Sequence, residues 1–264
     1  MIQFNTLYSG SSGNSTYIGD SNNGILVDIG KNAKQTEVSL KSLGLAPEAV
    51  KAVFVTHEHS DHIAGLRVFC NRYKVPVYAS NGTLAALESK GHLEGDFPVY
   101  IMSDYADIDN MHVKCFHTLH DCAESMGYTV ETLKGKKVAV STDLGIVTDE
   151  VKNALKGSHT VLLESNHDIN MLNCGPYPYY LKKRILSDHG HLSNEAAAEL
   201  ASELIKNGTR HIILGHLSKD NNMPELAYQT AVARTCITGA REGDDYSISV
   251  ASRNTAGHFE VTND

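Results

Sequence analysis

The sequence predicts a layered α/β or α+β domain with sheets inside and helices outside. Three observations lead there. Short β-branched or apolar runs alternate with helical stretches along the whole chain. Gly-, Asn- and Ser-rich turns separate them. Over 264 residues, 41% are apolar and 20% charged, which suits an ordinary globule with a proper core. No low-complexity tract, long linker or charge block interrupts the alternation, so residues 1–264 read as one domain.

In order, residues 3–8, 15–19 and 25–28 read as strands, separated by the turn sequences SGSSGN and SNNG. Residues 34–43 have helical spacing and end at Gly44. Residues 52–56 (AVFVT) form a buried-type strand, followed by a histidine-rich loop, a helix over 63–73, a strand over 75–78 and a helix over 82–90. Strands follow at 111–116, 126–130 and 137–141, then a helix at 147–155 and a strand at 160–164. Helices at 179–186 and 194–206, a strand at 211–215 and a closing strand at 246–251 complete the set.

The 23 basic and 31 acidic side chains leave a formal charge of −8, which argues against a protein that coats nucleic acid non-specifically. A local basic track stays open. The 5 cysteines are scattered without a CxxC pair, so neither a disulfide framework nor a thiolate zinc site is expected. No apolar run approaches the ~18–20 residues of a membrane span. The N-terminus lacks the basic and apolar regions of a secretory signal, so the expected location is cytoplasmic, with no membrane partner.

The 14 histidines are the unusual feature. His57-x-His59-x-Asp61-His62 lies between a buried strand and a helix, in a strand-end loop of the kind that displays functional groups. Three imidazoles and a carboxylate crowd poorly unless a cation organises them. His57 and His59, at alternate positions, can converge on one ion, with Asp61 and His62 turned towards a second. Imidazole and carboxylate without thiolate suit zinc, manganese or iron. Three further strand ends offer ligands: the run His117-Thr118-Leu119-His120-Asp121, then Asp143, then His216. Asp143 is suited to bridge two cations through its two oxygens.

In order and spacing this set resembles the metallo-β-lactamase fold, over essentially the whole chain. The resemblance implies an α+β, four-layer αββα sandwich of mixed β-sheets flanked by helices, with two divalent metal ions (zinc, manganese or iron) at one edge. On that pattern one ion takes His57, His59 and His120, the other takes Asp61, His62 and His216, and Asp143 bridges them. His117 competes with His120, but His120-Asp121-x-x-Glu124-x-x-Gly127-Tyr128 is similar to the phosphodiesterase branch of the family. Gly190-His191-Leu192-Ser193 echoes Gly215-His216-Leu217-Ser218. His216 ends a strand, whereas His191 precedes Ser193, a good helix N-cap.

The fold hosts many hydrolases, so the branch needs its own argument. The chain lacks the GHTxG-type segment of thioesterase-like and lactamase-like members, the extra domain of β-CASP nucleases and the flexible arm of RNase Z. Ser9-Gly10-Ser11-Ser12-Gly13-Asn14-Ser15, Glu164-Ser165-Asn166-His167-Asp168 and Gly190-His191-Leu192-Ser193-Asn194 resemble the bacterial YycJ/WalJ/VicX group. That resemblance implies a cytosolic, metal-dependent 5′-to-3′ exonuclease engaging a DNA end. Two divalent ions, two aspartates and a bridging hydroxide would leave the site locally positive and lower the pKa of bound water towards ~7. The hydroxide would attack phosphorus in line. Expected catalytic groups are Asp61, Asp143, His167 and His191, the last two also as phosphate contacts. Ser11, Ser12 and Asn14 form either a phosphate-approaching turn or a plain tight hairpin, and Ser193 joins them as a candidate contact. The run Gly175-Pro176-Tyr177-Pro178-Tyr179-Tyr180-Leu181-Lys182-Lys183-Arg184 is either a stacking and phosphate track or a set of packing tyrosines beside a solvated basic face. Other readings are a small-molecule hydrolase on the same site (a cyclic or small phosphodiester, a thioester or a lactam) and a metal-stabilised, non-catalytic signalling regulator.

Overall fold

The computed structural model describes residues 2–133 and 135–261. The first half of the chain lays down β1 (Ile2–Tyr8), β2 (Ser15–Gly19), β3 (Gly24–Val27), α1 (Ala33–Ser42), β4 (Val50–Phe54), α2 (Ser60–Ile63), α3 (Leu66–Tyr73), β5 (Val77–Ala79), α4 (Asn81–Ser89) and β6 (Val99–Ile101). The second half continues with β7 (Tyr105–Ile108), β8 (Met111–His117), β9 (Met126–Thr132), β10 (Lys137–Ser141), α5 (Asp149–Leu155), β11 (Thr160–Glu164), α6 (Ile169–Cys174) and α7 (Tyr179–Ile185). It ends with α8 (Asn194–Lys206), β12 (His211–Gly215), α9 (Pro224–Thr235), β13 (Ser247–Val250) and β14 (Gly257–Val261).

The strands form two sheets, ordered β14-β1-β2-β3-β4-β5-β6 and β13-β12-β11-β10-β9-β8-β7. Each sheet is antiparallel over one half (β14 to β3, β7 to β10) and parallel over the other (β3 to β6, β10 to β13). The inner parallel strands β3, β4, β11 and β12 are buried on both faces, as their near-continuous apolar runs require, while the edge strand β6 is exposed. Alternation along each strand assigns the faces. Phe54, Leu162 and Ile213 join the layer between the sheets, while Val53, Leu163, Ile212 and Leu214 turn towards the helices. Helices α1, α3 and α4 cover one outer face through Leu40, Phe69 and Leu87, and α5, α8 and α9 cover the other through Leu155, Ala201 and Ala227. The result is the α-β-β-α layering the sequence led one to expect.

Between the sheets, Phe54 stacks on Tyr78 at 4.9 Å and meets Tyr128 edge-on at 5.4 Å. The Tyr128 hydroxyl crosses to donate to the Val55 carbonyl at 2.7 Å, and Met126 N–H donates to the Thr56 carbonyl at 3.0 Å. Both bonds stitch the sheets together directly behind the histidine-rich loop.

Several elements differ from the sequence reading. The helix expected over 63–73 is two, α2 and α3, broken where Gly65 N–H donates to the Ile29 carbonyl at 2.9 Å. The strand expected to end at 28 stops at Val27, because Asp28 takes a left-handed backbone. Sheet closure is shared: β13 edges one sheet and β14, which the sequence reading passed over, edges the other. No helix among the described residues is long and apolar enough to cross a membrane.

Candidate metal centre

The loops that carry polar side chains follow the carboxyl ends of parallel strands, where open α/β sheets bind ligands. From the first sheet come Asp28 after β3 and His57, His59, Asp61 and His62 after β4. From the second come Asp143 after β10, Glu164 at the end of β11 and His216 after β12, joined by His120 from the β8–β9 loop. Gly30 lets the two loops of the first sheet interlock. Asn14 N–H donates to the Asp61 carbonyl at 2.8 Å, and a Cβ on Gly30 would lie 1.7 Å from that carbonyl oxygen.

Four groups of potential ligand atoms converge among the described residues: His57, His59 and His120; Asp61, His62 and His216; His57, His62 and Asp143; and Asp143, Glu164, His191 and His216, the atoms of each group lying within 4.8 Å of one another. The far side of four imidazoles is held by partners that fix which nitrogen carries the proton. His57 Nδ1 donates to Thr56 Oγ1 (3.0 Å), His62 Nδ1 to Asp28 Oδ2 (2.7 Å), His120 Nδ1 to the Gly190 carbonyl (3.0 Å) and His216 Nδ1 to Glu164 Oε1 (2.8 Å). Each ring therefore leaves its Nε2 as the atom that can face a cation at the centre. His57 Nε2, His216 Nε2 and Asp143 Oδ2 are buried without a hydrogen-bond partner among the described residues. Such orphans are rare and costly in a folded protein. The donor set thus fits divalent cations through imidazole and carboxylate.

The charges are strongly coupled. Burial works to raise the Asp143 carboxyl, but His216, His62 and His57 hold it well below the ordinary carboxylate range. Burial likewise opposes, and His191 and His216 overcome it, to bring Glu164 down to about 2. Burial and the neighbouring His62 push His57 well below its ordinary value. A bound cation supplies the positive charge these carboxylates otherwise draw from protonated imidazoles.

The remaining candidates fall into distinct settings. His191 Nδ1 donates to Glu164 Oε1 at 2.8 Å, sharing that oxygen with His216, and its ring lies 5.0 Å from that of His120. His167 is 1% exposed, with neither ring nitrogen hydrogen-bonded among the described residues. Asn14 Nδ2 lies 3.1 Å from His62 Nε2 and 3.4 Å from Asp61 Oδ2, while Ser11 and Ser12 are exposed on the same turn. The Ser193 hydroxyl accepts Ala196 N–H and so caps α8. His117 points away to Glu150, which leaves His120 as the inward histidine of its loop. In the basic run, Lys182 donates to the Asn173 carbonyl (2.7 Å), Lys183 lies 5.7 Å over the Tyr179 ring and Arg184 pairs with Asp121.

Three supporting residues escaped the sequence reading: Asp28, Thr56 and Glu164. Asp28 accepts from Thr56 N–H (2.8 Å) and Thr56 Oγ1 (2.9 Å) as well as from His62, and Glu164 Oε2 accepts Leu144 N–H (3.0 Å) and Leu192 N–H (3.1 Å). The available signal was the one that exposed Asp143, a carboxylate ending an apolar strand.

A family model described as a β-lactamase superfamily domain matches residues 23–217. The chain belongs to the β-lactamase superfamily. Within that superfamily it is 43% identical over 231 residues to the exodeoxyribonuclease YycJ of Bacillus anthracis, covering 86% of each chain. It is 35% identical over 259 residues to the exodeoxyribonuclease WalJ of Streptococcus pneumoniae, covering 97% of this chain and 96% of that one. Among solved structures, the metallo-β-lactamase fold protein YhfI of Bacillus subtilis superposes with a TM-score of 0.73 at 14% identity, covering 98% of this chain and 100% of that one. At that identity the likeness speaks for the superfamily's fold alone.

Proposed function

We propose that this protein is a dinuclear metal-dependent phosphodiesterase that acts as a 5′-to-3′ DNA exonuclease. The observation that carries the reading is the paired ligand set, His57/His59/His120 and Asp61/His62/His216, with Asp143 facing both: Oδ2 lies 3.2 Å from His62 Nε2 and Oδ1 lies 3.7 Å from His120 Nε2. The exodeoxyribonuclease names of the relatives supply the substrate class.

When bound, two divalent ions supply a water of lowered pKa as nucleophile and Lewis-acid stabilisation of the phosphoryl oxygens. The chain's own residues do the rest. Asp61 and Asp143 would hold the ions and so orient the attacking group. His191 keeps Nδ1–H on Glu164, so its Nε2 faces outward from a ring side chain 18% exposed. That nitrogen would contact the phosphate and protonate the leaving oxygen. His167 contributes an unpaired imidazole, but its burial favours His191 for the proton transfer. Asn14 and the Ser11–Ser12 turn line the approach on the side of Asp61.

End-labelled duplex DNA, digested with manganese and zinc compared, tests the reading. A 5′ label should be released at once while a 3′-labelled strand shortens progressively; the reverse pattern overturns the polarity. Asp143→Asn should lose metal and hydrolysis together, and full turnover in that variant would sink the dinuclear reading.

A further inference from the structure

The turn between β1 and β2 lies against two cationic side chains that the reading above does not use. Gly10 and Gly13 have φ of +143° and +154°, which favours residues without a Cβ. A Cβ on Gly13 would meet Lys31 Cγ at 2.6 Å, and one on Gly10 would lie 3.4 Å from Arg253 Nε. The turn is thus drawn down onto both stems, leaving Ser11 and Ser12 exposed above them.

Both cations are tied to neutral groups. Arg253 Nη2 donates to the Leu217 carbonyl at 3.3 Å, and Lys31 Nζ donates to Asn254 Oδ1 at 2.9 Å and to the Arg253 carbonyl at 3.4 Å. Neither pairs with a carboxylate among the described residues. Arg184, by contrast, is neutralised by Asp121. Two uncompensated charges on a chain of net charge −8 favour a polyanion at this place.

The turn is also joined to the metal centre. Ser9 Oγ accepts His216 N–H at 2.8 Å, Asn14 Nδ2 reaches His62 Nε2 at 3.1 Å, and the Leu217 carbonyl that holds Arg253 directly follows His216. A phosphate on Ser11, Ser12, Arg253 and Lys31 would therefore lie along the strand from one at the metals.

We propose that Lys31 and Arg253, with the Ser11–Ser12 turn between them, form a backbone-phosphate subsite for the nucleotide next to the scissile one. This rests on the nuclease reading. The subsite recognises phosphodiester charge, not base identity, and makes these residues, rather than the 182–184 run, the main cationic contact with the strand.

The metal-loaded full-length protein tests this with Lys31→Gln, Arg253→Gln and the double variant, on a DNA oligonucleotide and on bis(p-nitrophenyl) phosphate. The double variant should raise KM for the oligonucleotide about tenfold or more with kcat held, and each lost cation should flatten the plot of log affinity against log salt by about one unit. Turnover of the small diester should stay unchanged. Arg253→Lys and Lys31→Arg should keep most of the oligonucleotide affinity. An unchanged oligonucleotide KM and salt slope overturn the subsite alone, as does an equal loss on both substrates that the conservative variants share. Wild-type protein that turns over the small diester but neither binds nor cleaves DNA overturns the nuclease reading, and the subsite with it.

Discussion

Among the described residues, three of the five non-glycine residues with positive φ belong to the candidate centre: Asp28 (63°), Asp143 (57°) and His216 (55°). Left-handed backbone costs such residues roughly 1–3 kcal/mol each, and the strain concentrates where a side chain must leave a strand at a set angle. Here it turns each side chain from the strand end towards its neighbours. Glu164 then matters through what it holds, since one carboxylate oxygen takes protons from both His191 and His216. Glu164→Gln should lower activity or metal affinity about 10- to 100-fold, measured by turnover and by competition with a chelator. His191→Ala should lower kcat about 100-fold or more with metal content retained. A His191→Ala protein that loses its metal instead would make His191 a ligand. At this scale the clustered ligands were legible because strand-end polarity repeats along the sequence. Asp28 shows the same pattern but stands alone, and Glu164 was read only as part of the Glu164–Asp168 motif, because the histidines it holds, His191 and His216, lie far along the chain.

Elements were legible where their burial was one-sided or complete. The apolar runs behind β4, β11 and β12 announce buried strands, and α8 shows its apolar stripe plainly. The missed ones lack that contrast. All three residues of β6 are exposed, so its alternation carries no signal. Helix α9 buries Ala227, Ala231 and Thr235, a stripe of small residues that composition does not mark as core. Pairing with β1 makes β14 a strand, through a register running from Ile2 opposite Val261 to Thr6 opposite Gly257, which no local pattern encodes. The loop elements have their own test in Gly30→Ala. Because the added Cβ would collide with the Asp61 carbonyl, that loop must shift, and metal content should fall although no ligand has changed. Isothermal titration with zinc would read the loss; wild-type affinity would mean that the loops flex enough to absorb a methyl group.

At the scale of the molecule, the two sheets share one hydrophobic layer and one polar edge. Burying unpaired ligand nitrogens and a carboxylate destabilises the metal-free state, and ligands that bind only the folded state stabilise it. Chelator-treated protein should therefore melt at a lower temperature than metal-loaded protein by calorimetry, and the gap should narrow in Asp143→Asn. Equal melting temperatures would mean that the edge does not depend on its metals. The acidic overall balance, legible at once, is a poor guide to substrate, because the groups that would meet DNA are local.

The division of ligands between the sheets also sets an order in time. A ribosome releases His57, His59, Asp61 and His62 first, then His120 and Asp143, and His216 only when most of the chain has emerged. Neither triad is complete in the first sheet's half of the chain: one waits for His120 and the other for His216. A newly made molecule thus becomes able to retain its full metal complement only after its second sheet has docked on its first. On the proposed reading, metal loading would mark finished molecules, and nuclease chemistry would stay off in unfinished ones.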